Sequence, residues 1–256
     1  MKRPLLNPPC TGWIDDLPHP DAPITSEAGL GDKSPNHQDC IYLELSRTLG
    51  WAREIIAFLS LPMIAFALLT PYIIIDSFEH RDFENAFIGI LFLACETWAS
   101  AVFLRVSISP PRDEPLRFNR VRKKIYAYNF RHCWWNPFAT WKVETVSYEW
   151  SQVRAERWSQ SGVLPSGGVI YKTGVMLSIV APGTNKVIDR FHLSTMGADQ
   201  HAWAYICTYM QQGPSALPPP GEPKDHNDVL WCEFALRLAP RVVWPAEMDL
   251  ESRTAP

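Results

Sequence analysis

The sequence lacks the residue spacings that metal, redox and nucleophilic chemistry usually require. Its six cysteines, Cys10, Cys40, Cys95, Cys133, Cys207 and Cys232, form no C-x-x-C pair, and their scatter fits no compact disulfide framework. Reduced thiols are expected. There is no H-E-x-x-H and no G-x-S-x-G. The seven histidines are dispersed. Asp189 and His192 fall three apart on one expected strand and so on opposite faces, which leaves a Ser/His/Asp site without convergence. His80-Arg81-Asp82 spells a kinase triplet with no kinase context around it. Residues 29–34 (GLGDKS) lack the full phosphate-loop spacing. The expectation is a non-enzyme with no metal and no cofactor.

Excess charge of one sign is missing too. Lys and Arg number 24 against 27 Asp and Glu, a net charge of −3. That excludes a general polyanion binder, and no specific nucleic-acid partner is expected. A secretory signal is not expected either, because the first long apolar run begins only near residue 55. What the chain does have is 11 Trp, 12 Phe and 8 Tyr, too many for a disordered chain. It also has 23 prolines, nearly twice the usual share, crowded into its two ends. Mean hydropathy is −0.12, the value of an ordinary soluble chain, but it averages over unlike parts.

Residues 55–75 read IIAFLSLPMIAFALLTPYIII, without a charge. Residues 86–106 form a second run, AFIGILFLACETWASAVFLRV. A helix needs about 20 apolar residues to cross hydrocarbon, and prolines such as Pro62 and Pro71 are tolerated there. With the segment 76–85 as a turn, the two runs form a transmembrane helical hairpin over 47–109. The turn holds Asp76, Glu79, Asp82 and Glu84 against Arg81 alone. Arg47, Arg53, Arg105 and Arg112 flank the other side. Positive charge stays in the cytoplasm, so a multi-pass bacterial inner-membrane protein with both termini cytoplasmic is expected. Glu96 lies mid-span, where a carboxylate is costly and needs a partner or a proton. A bond to the neighbouring helix, a contact between protomers of a homo-oligomer, and an ion or proton site all remain open for it.

Residues 1–46 read as a Pro-rich disordered tail, aperiodic over 1–40, with room for a short docking piece at Trp13-Ile14 and a short ordered lead into the first span at Tyr42–Leu45. From Pro115 the pattern changes to period two. Strands are expected at 116–120, 124–130, 143–150, 153–158, 169–172, 175–181 and 186–193, with a flexible stretch at 159–168 and a PGTN turn at 182–185. A helix follows. Ser194 or Thr195 can cap it, and Trp203, Ile206, Cys207 and Met210 make one apolar stripe before Gly213-Pro214 end it. Strands closed by one amphipathic helix over 115–213 have the order of a pleckstrin-homology (PH)-like domain. The fold class expected is thus an α+β membrane protein, a hairpin plus a small antiparallel β-barrel or sandwich capped by a C-terminal helix. Residues 214–256 are a second Pro-rich tail, with an amphipathic helix at 227–239 and an extended piece at 241–250.

Two binding candidates stand out. The basic residues Arg117, Arg120, Arg122, Lys123 and Lys124 follow the second span closely enough to meet anionic headgroups or a partner. Equally, they can serve simply to keep that end inside. The aromatic loop with Trp134, Trp135, Phe138 and Trp141 fits a partner hot spot, the membrane interface or a plug inside the β domain.

The series RFNRVRKKIYAY, NPF-x-x-W, VSYEWSQVRAE, PGT-x-x-VIDRF and WAYICTYMQQGP resembles an uncharacterised family of proteobacterial two-span membrane proteins with a PH-like cytoplasmic domain. Such proteins are similar to those encoded near type VI secretion effectors. The resemblance implies an immunity or accessory protein that meets a cognate secreted toxin by protein–protein contact. It carries over no catalytic residues. A membrane scaffold or lipid sensor, and an oligomeric channel or transporter component, are the alternatives.

Overall fold

The computed structural model describes residues 3–31, 33–48, 50–163, 169–193 and 199–256. Strands β1 (Trp13–Asp16), β2 (His37–Gln38) and β3 (Tyr42–Leu45) precede two long helices, α1 (Gly50–Glu79) and α2 (Phe83–Ile108). Then come β4 (Leu116–Asn119), β5 (Lys124–Arg131), β6 (Lys142–Glu149), β7 (Val153–Val163), β8 (Val169–Val180) and β9 (Val187–His192). Helices α3 (Gln200–Gln212), α4 (Phe234–Leu238) and α5 (Ala246–Arg253) complete the chain.

Both sheets are antiparallel. One has four strands in the order β1-β7-β8-β9, the other five in the order β2-β3-β4-β5-β6. They do not close into a barrel, which corrects the barrel expectation in favour of two facing sheets. Strands β5 and β6 approach β9 through side chains instead of a ladder. Tyr148 Oη donates to Asp189 Oδ2 at 3.0 Å, and Arg131 Nη2 donates to Asp189 Oδ1 at 2.9 Å. The core lies between the sheets and under α3, whose stripe Trp203, Ile206, Cys207 and Met210 is buried as the spacing predicts. Trp150 links the layers, meeting Phe118 edge-on at 6.1 Å and Trp203 at 5.5 Å. Asp199 caps α3 by accepting from His201 N and Ala202 N. The expected caps Ser194 and Thr195 lie outside the described residues.

The N-terminal segment is not a disordered tail. β1 pairs with β7, and Asp15 accepts two bonds from Arg157, at 2.9 and 2.8 Å. β3 pairs along its whole length with β4, and Leu43 is fully buried. The physical reason is that β4 and β7 would otherwise present open edges, with unpaired backbone groups. The segments expected as strands at 169–172 and 175–181 are one strand. Gly174 keeps it continuous, because a Cβ there would sit 3.0 Å from the Trp158 indole that packs across it. Residues 159–163 extend β7 and so are not flexible loop, while 164–168 lie outside the described residues. The helix expected at 227–239 shrinks to α4, because Asp225 and Glu233 carboxylates accept backbone N–H groups of Asn227 and Leu230 and hold turns there. Residues 246–253 are helical instead of extended. Glu247 and Asp249 in the first turn and Arg253 in the last complement the helix dipole.

Helices α1 and α2 are about 45 and 39 Å long at 1.5 Å per residue. They contain the expected runs 55–75 and 86–106 and shorten the turn to residues 80–82. Asp82 caps α2. Pro62 and Pro71 sit inside α1 without ending it. Both helices are long and apolar enough to cross a membrane. Their packing is inside-out: Ser60, Thr70, Ser77, Glu96, Ser100 and Ser107 are buried, while most of the Leu, Ile and Phe side chains point outward. Close approach depends on a small residue, since a Cβ on Gly89 would fall 2.8 Å from Ile74 Cγ1. Glu96 finds its partner within the hairpin: Thr70 Oγ1 of α1 lies 2.9 Å from its Oε2.

Leu43 distinguishes an integrated segment from a tail. Leu43→Ala is expected to lower stability by about 2–5 kcal/mol, as for a buried leucine in a packed core. Chemical denaturation in detergent, followed by tryptophan emission, checks this, and no loss would return residues 1–46 to a tail.

Candidate functional site

The base of the hairpin is a polar knot. Helix α2 ends with carbonyls that have no intrahelical partner. Arg53, in the first turns of α1, supplies the donors. Its Nε and Nη2 donate to Ser107 O at 3.0 and 2.9 Å, and Nη2 and Nη1 donate to Pro110 O and Pro111 O, both at 2.7 Å. Asp113 gathers the incoming strand. Its Oδ1 accepts from Ser46 Oγ, Arg47 N, Thr48 N and Glu114 N at 2.8–3.2 Å. Arg47 then reaches both sheets. It donates to Glu114 O, Tyr128 O, Asn129 Oδ1 and His192 O. Burial pushes the Arg47 guanidinium below its ordinary value, and the Glu114 and Asp113 carboxylates oppose the shift.

A C-terminal strap crosses this base. Glu54 of α1 accepts from Ala235 N and Leu236 N, at 3.2 and 3.1 Å, and so holds the start of α4. Arg112 donates to Asn227 O at 2.7 Å and to Leu236 O at 3.1 Å. Phe58 meets Phe234 edge-on at 6.3 Å. Further along, Trp244 packs on Tyr128 at 5.3 Å and lies 4.6 Å under the Arg117 guanidinium.

The basic residues 117–124 hold this strap and α3. Arg117 is buried and bonds Glu44 Oε2 at 2.5 Å, Asp249 Oδ1 at 2.7 Å and Ser252 Oγ at 2.9 Å. Arg122 donates to Thr254 O and Ala255 O, and Lys124 to Glu251 Oε1. Lys123 Nζ donates to Met210 O and places a cation at the C-terminal end of α3. Arg120 lies half-buried against Gly213. The structure thus gives each of these five side chains a contact within the chain. Sequence reasoning saw the charges and missed their distant partners, carboxylates for Arg117 and Lys124 and backbone carbonyls for Arg122 and Lys123.

The aromatic loop is placed differently. Trp134, Trp135 and Phe138 are exposed at 67%, 57% and 82%, so they do not plug the β domain. Trp141 is half-buried against Phe130 and His132, with Arg105 of α2 stacked 4.5 Å over its ring. That contact ties the loop to the end of the second long helix. Leu230 and Leu238, expected on one face of the helix at 227–239, and Trp231 beside them are similarly exposed around α4. Among the described residues, no group of three or more His, Cys, Asp or Glu side chains is placed to hold a metal ion. The arrangement suits contact with a surface or a partner.

Glu44 also pairs with His226 at 3.0 Å. Burial alone would raise the Glu44 carboxyl, but the His226 hydrogen bond and the Arg117 charge outweigh it and bring it down to about 2. Burial alone would lower His226, but Glu44 outweighs it and holds the imidazole above its ordinary value. The His226 contribution is therefore complete below its ordinary 6.5 and fades as pH rises through the raised value. The Glu44 contribution is complete above its ordinary 4.5 and fades as pH falls toward 2. Limited proteolysis of residues 214–256 should be slowest between those ordinary values and faster on either side. Arg117→Ala, which breaks a buried pair worth about 3–5 kcal/mol when one partner is lost, should speed cleavage across that whole range. A pH-independent rate would contradict this role of the Glu44–His226 pair.

No curated protein matches the chain, and no solved structure matches it. A family model does match, over residues 93–256, which spans the second half of α2, strands β4 to β9 and the whole strap. That is well over half of the chain, and the protein belongs to this family, described as a family of unknown function (DUF6708).

Proposed function

We propose that the chain is a bacterial inner-membrane binding protein whose hairpin spans the bilayer and whose β domain meets a protein partner in the cytoplasm. The observation that carries the membrane part is the inside-out hairpin. Its polar side chains face each other, and its apolar ones face outward along both helices. This is the reverse of a water-exposed helix pair and suits lipid. The acidic turn and the basic base set the orientation, with both termini cytoplasmic. Glu96 serves hairpin packing through Thr70 in this reading, and no pore is required of it. The β domain is read as PH-like, two facing sheets with α3 packed across the core, although the sheets stay open.

The partner is proposed to be a cognate toxin of type VI secretion, which the chain would neutralise or escort by contact. That choice rests on the resemblance in the β-domain motifs. The rigid attachment of the domain to the hairpin supports a contact role, because a presented surface gains affinity from preorganisation.

Two measurements test this. With the native cysteines replaced, Asp82→Cys should react with a membrane-impermeant maleimide from outside the cytoplasm. Labelling from the cytoplasmic side alone contradicts the orientation. Cells expressing a toxin encoded beside this chain should survive when the chain is co-expressed. No protection and no co-purification with that toxin would sink the immunity reading.

A further inference from the structure

We infer that the exposed loop 134–138 and the exposed residues around α4 form a two-part anchor in the interfacial layer of the bilayer, laying the β domain flat against the lipid surface. The inference rests on the spanning reading above and goes beyond it, because a spanning hairpin alone does not fix how its domain sits. Two segments far apart in sequence expose large apolar side chains: Trp134, Trp135 and Phe138 in one, Leu230, Trp231 and Leu238 in the other. Each is fastened to a different long helix near the same end of the hairpin. Trp141 stacks under Arg105, three residues before the end of α2. Phe234 packs on Phe58, and Glu54 holds the α4 backbone near the start of α1.

Depth arithmetic puts both attachments at one level. Hydrocarbon is about 30 Å thick, and α1 is about 45 Å long. Roughly 15 Å of helix therefore lies in the headgroup layers, shared between its two ends. Phe58 lies about one turn deeper than Glu54, and Arg105 and Glu54 lie about 4.5 and 6 Å from the ends of their helices at 1.5 Å per residue, within that layer. Trp is enriched there because its ring is apolar and its N–H is polar. Trp51, exposed on the first turn of α1 three residues before Glu54, lies in the same layer. The apolar occupant is thus lipid, continuous with the lipid around the spans. A protein partner on this surface is the competing outcome.

The full chain is reconstituted in phosphatidylcholine–phosphatidylglycerol vesicles. Separate preparations contain lipid brominated near the headgroup or near the chain ends. The emission lost in the variant Trp134→Phe/Trp135→Phe/Trp231→Phe, relative to the native chain, is the signal of these three indoles. It should fall by roughly half or more with bromine near the headgroup, and less with bromine near the chain ends, as for interfacial tryptophans. An unquenched difference signal, with the Asp82→Cys turn still labelled from the far side, would overturn the anchor and leave the surface to water or a protein. Loss of far-side labelling would instead overturn the spanning reading, and the anchor with it.

Discussion

Arg53 satisfying the carbonyls at the end of α2 is the contact on which the rest of the architecture depends. The chain leaves α2 through Pro110-Pro111, which have no N–H to offer, and one guanidinium reaches the Ser107 carbonyl in the last turn and the Pro110 and Pro111 carbonyls just beyond it. Because Arg53 sits on α1, the same bonds close the hairpin at its base. Asp113 and Arg47 extend the closure into both sheets. Buried charges of this kind are costly unless fully bonded, and here the bonds run to backbone groups that would otherwise be stranded. The hairpin and the β domain are therefore one mechanical body and not two units on a linker.

The ends of the chain are part of that body. The N-terminal strands close sheet edges, and the C-terminal strap crosses the knot and covers the basic residues of β4 and β5. Arg117 is shared by three parts of the chain, through Glu44, Asp249 and the face of Trp244. Among the apolar side chains left exposed, those of the loop 134–138 and around α4 hang from the hairpin base. Such a division, with these charges turned inward and these aromatics left exposed, fits the interfacial anchor inferred above, with the rest of the domain free for a partner.

Legibility followed the range of the interactions. The long helices were readable because their apolar runs, 55–75 and 86–106, are long and continuous in the sequence. Strands β4 to β9 and the α3 stripe were readable because their periodicity is local. β1 was not, since Trp13–Asp16 has no pattern of its own and is held by Arg157 far along the chain. The strap was missed for the same reason: Asp249 lies 132 residues from Arg117, and proline content there reads as disorder. Arg47, Arg53 and Arg112 were visible as flanking charge, but their role as carbonyl donors needs three-dimensional proximity. The family match extends through the strap to the last residue, and the resemblance noted from the β-domain motifs falls within the same region.

The central claim is that the knot makes hairpin and domain rigid with respect to each other. Electron–electron double resonance between spin labels at positions 68 on α1 and 147 on β6 tests it most directly. A single narrow distance distribution is predicted for the native chain, broadening in Arg53→Gln and Arg47→Gln. A distribution already broad in the native chain, or one untouched by both substitutions, would contradict the account.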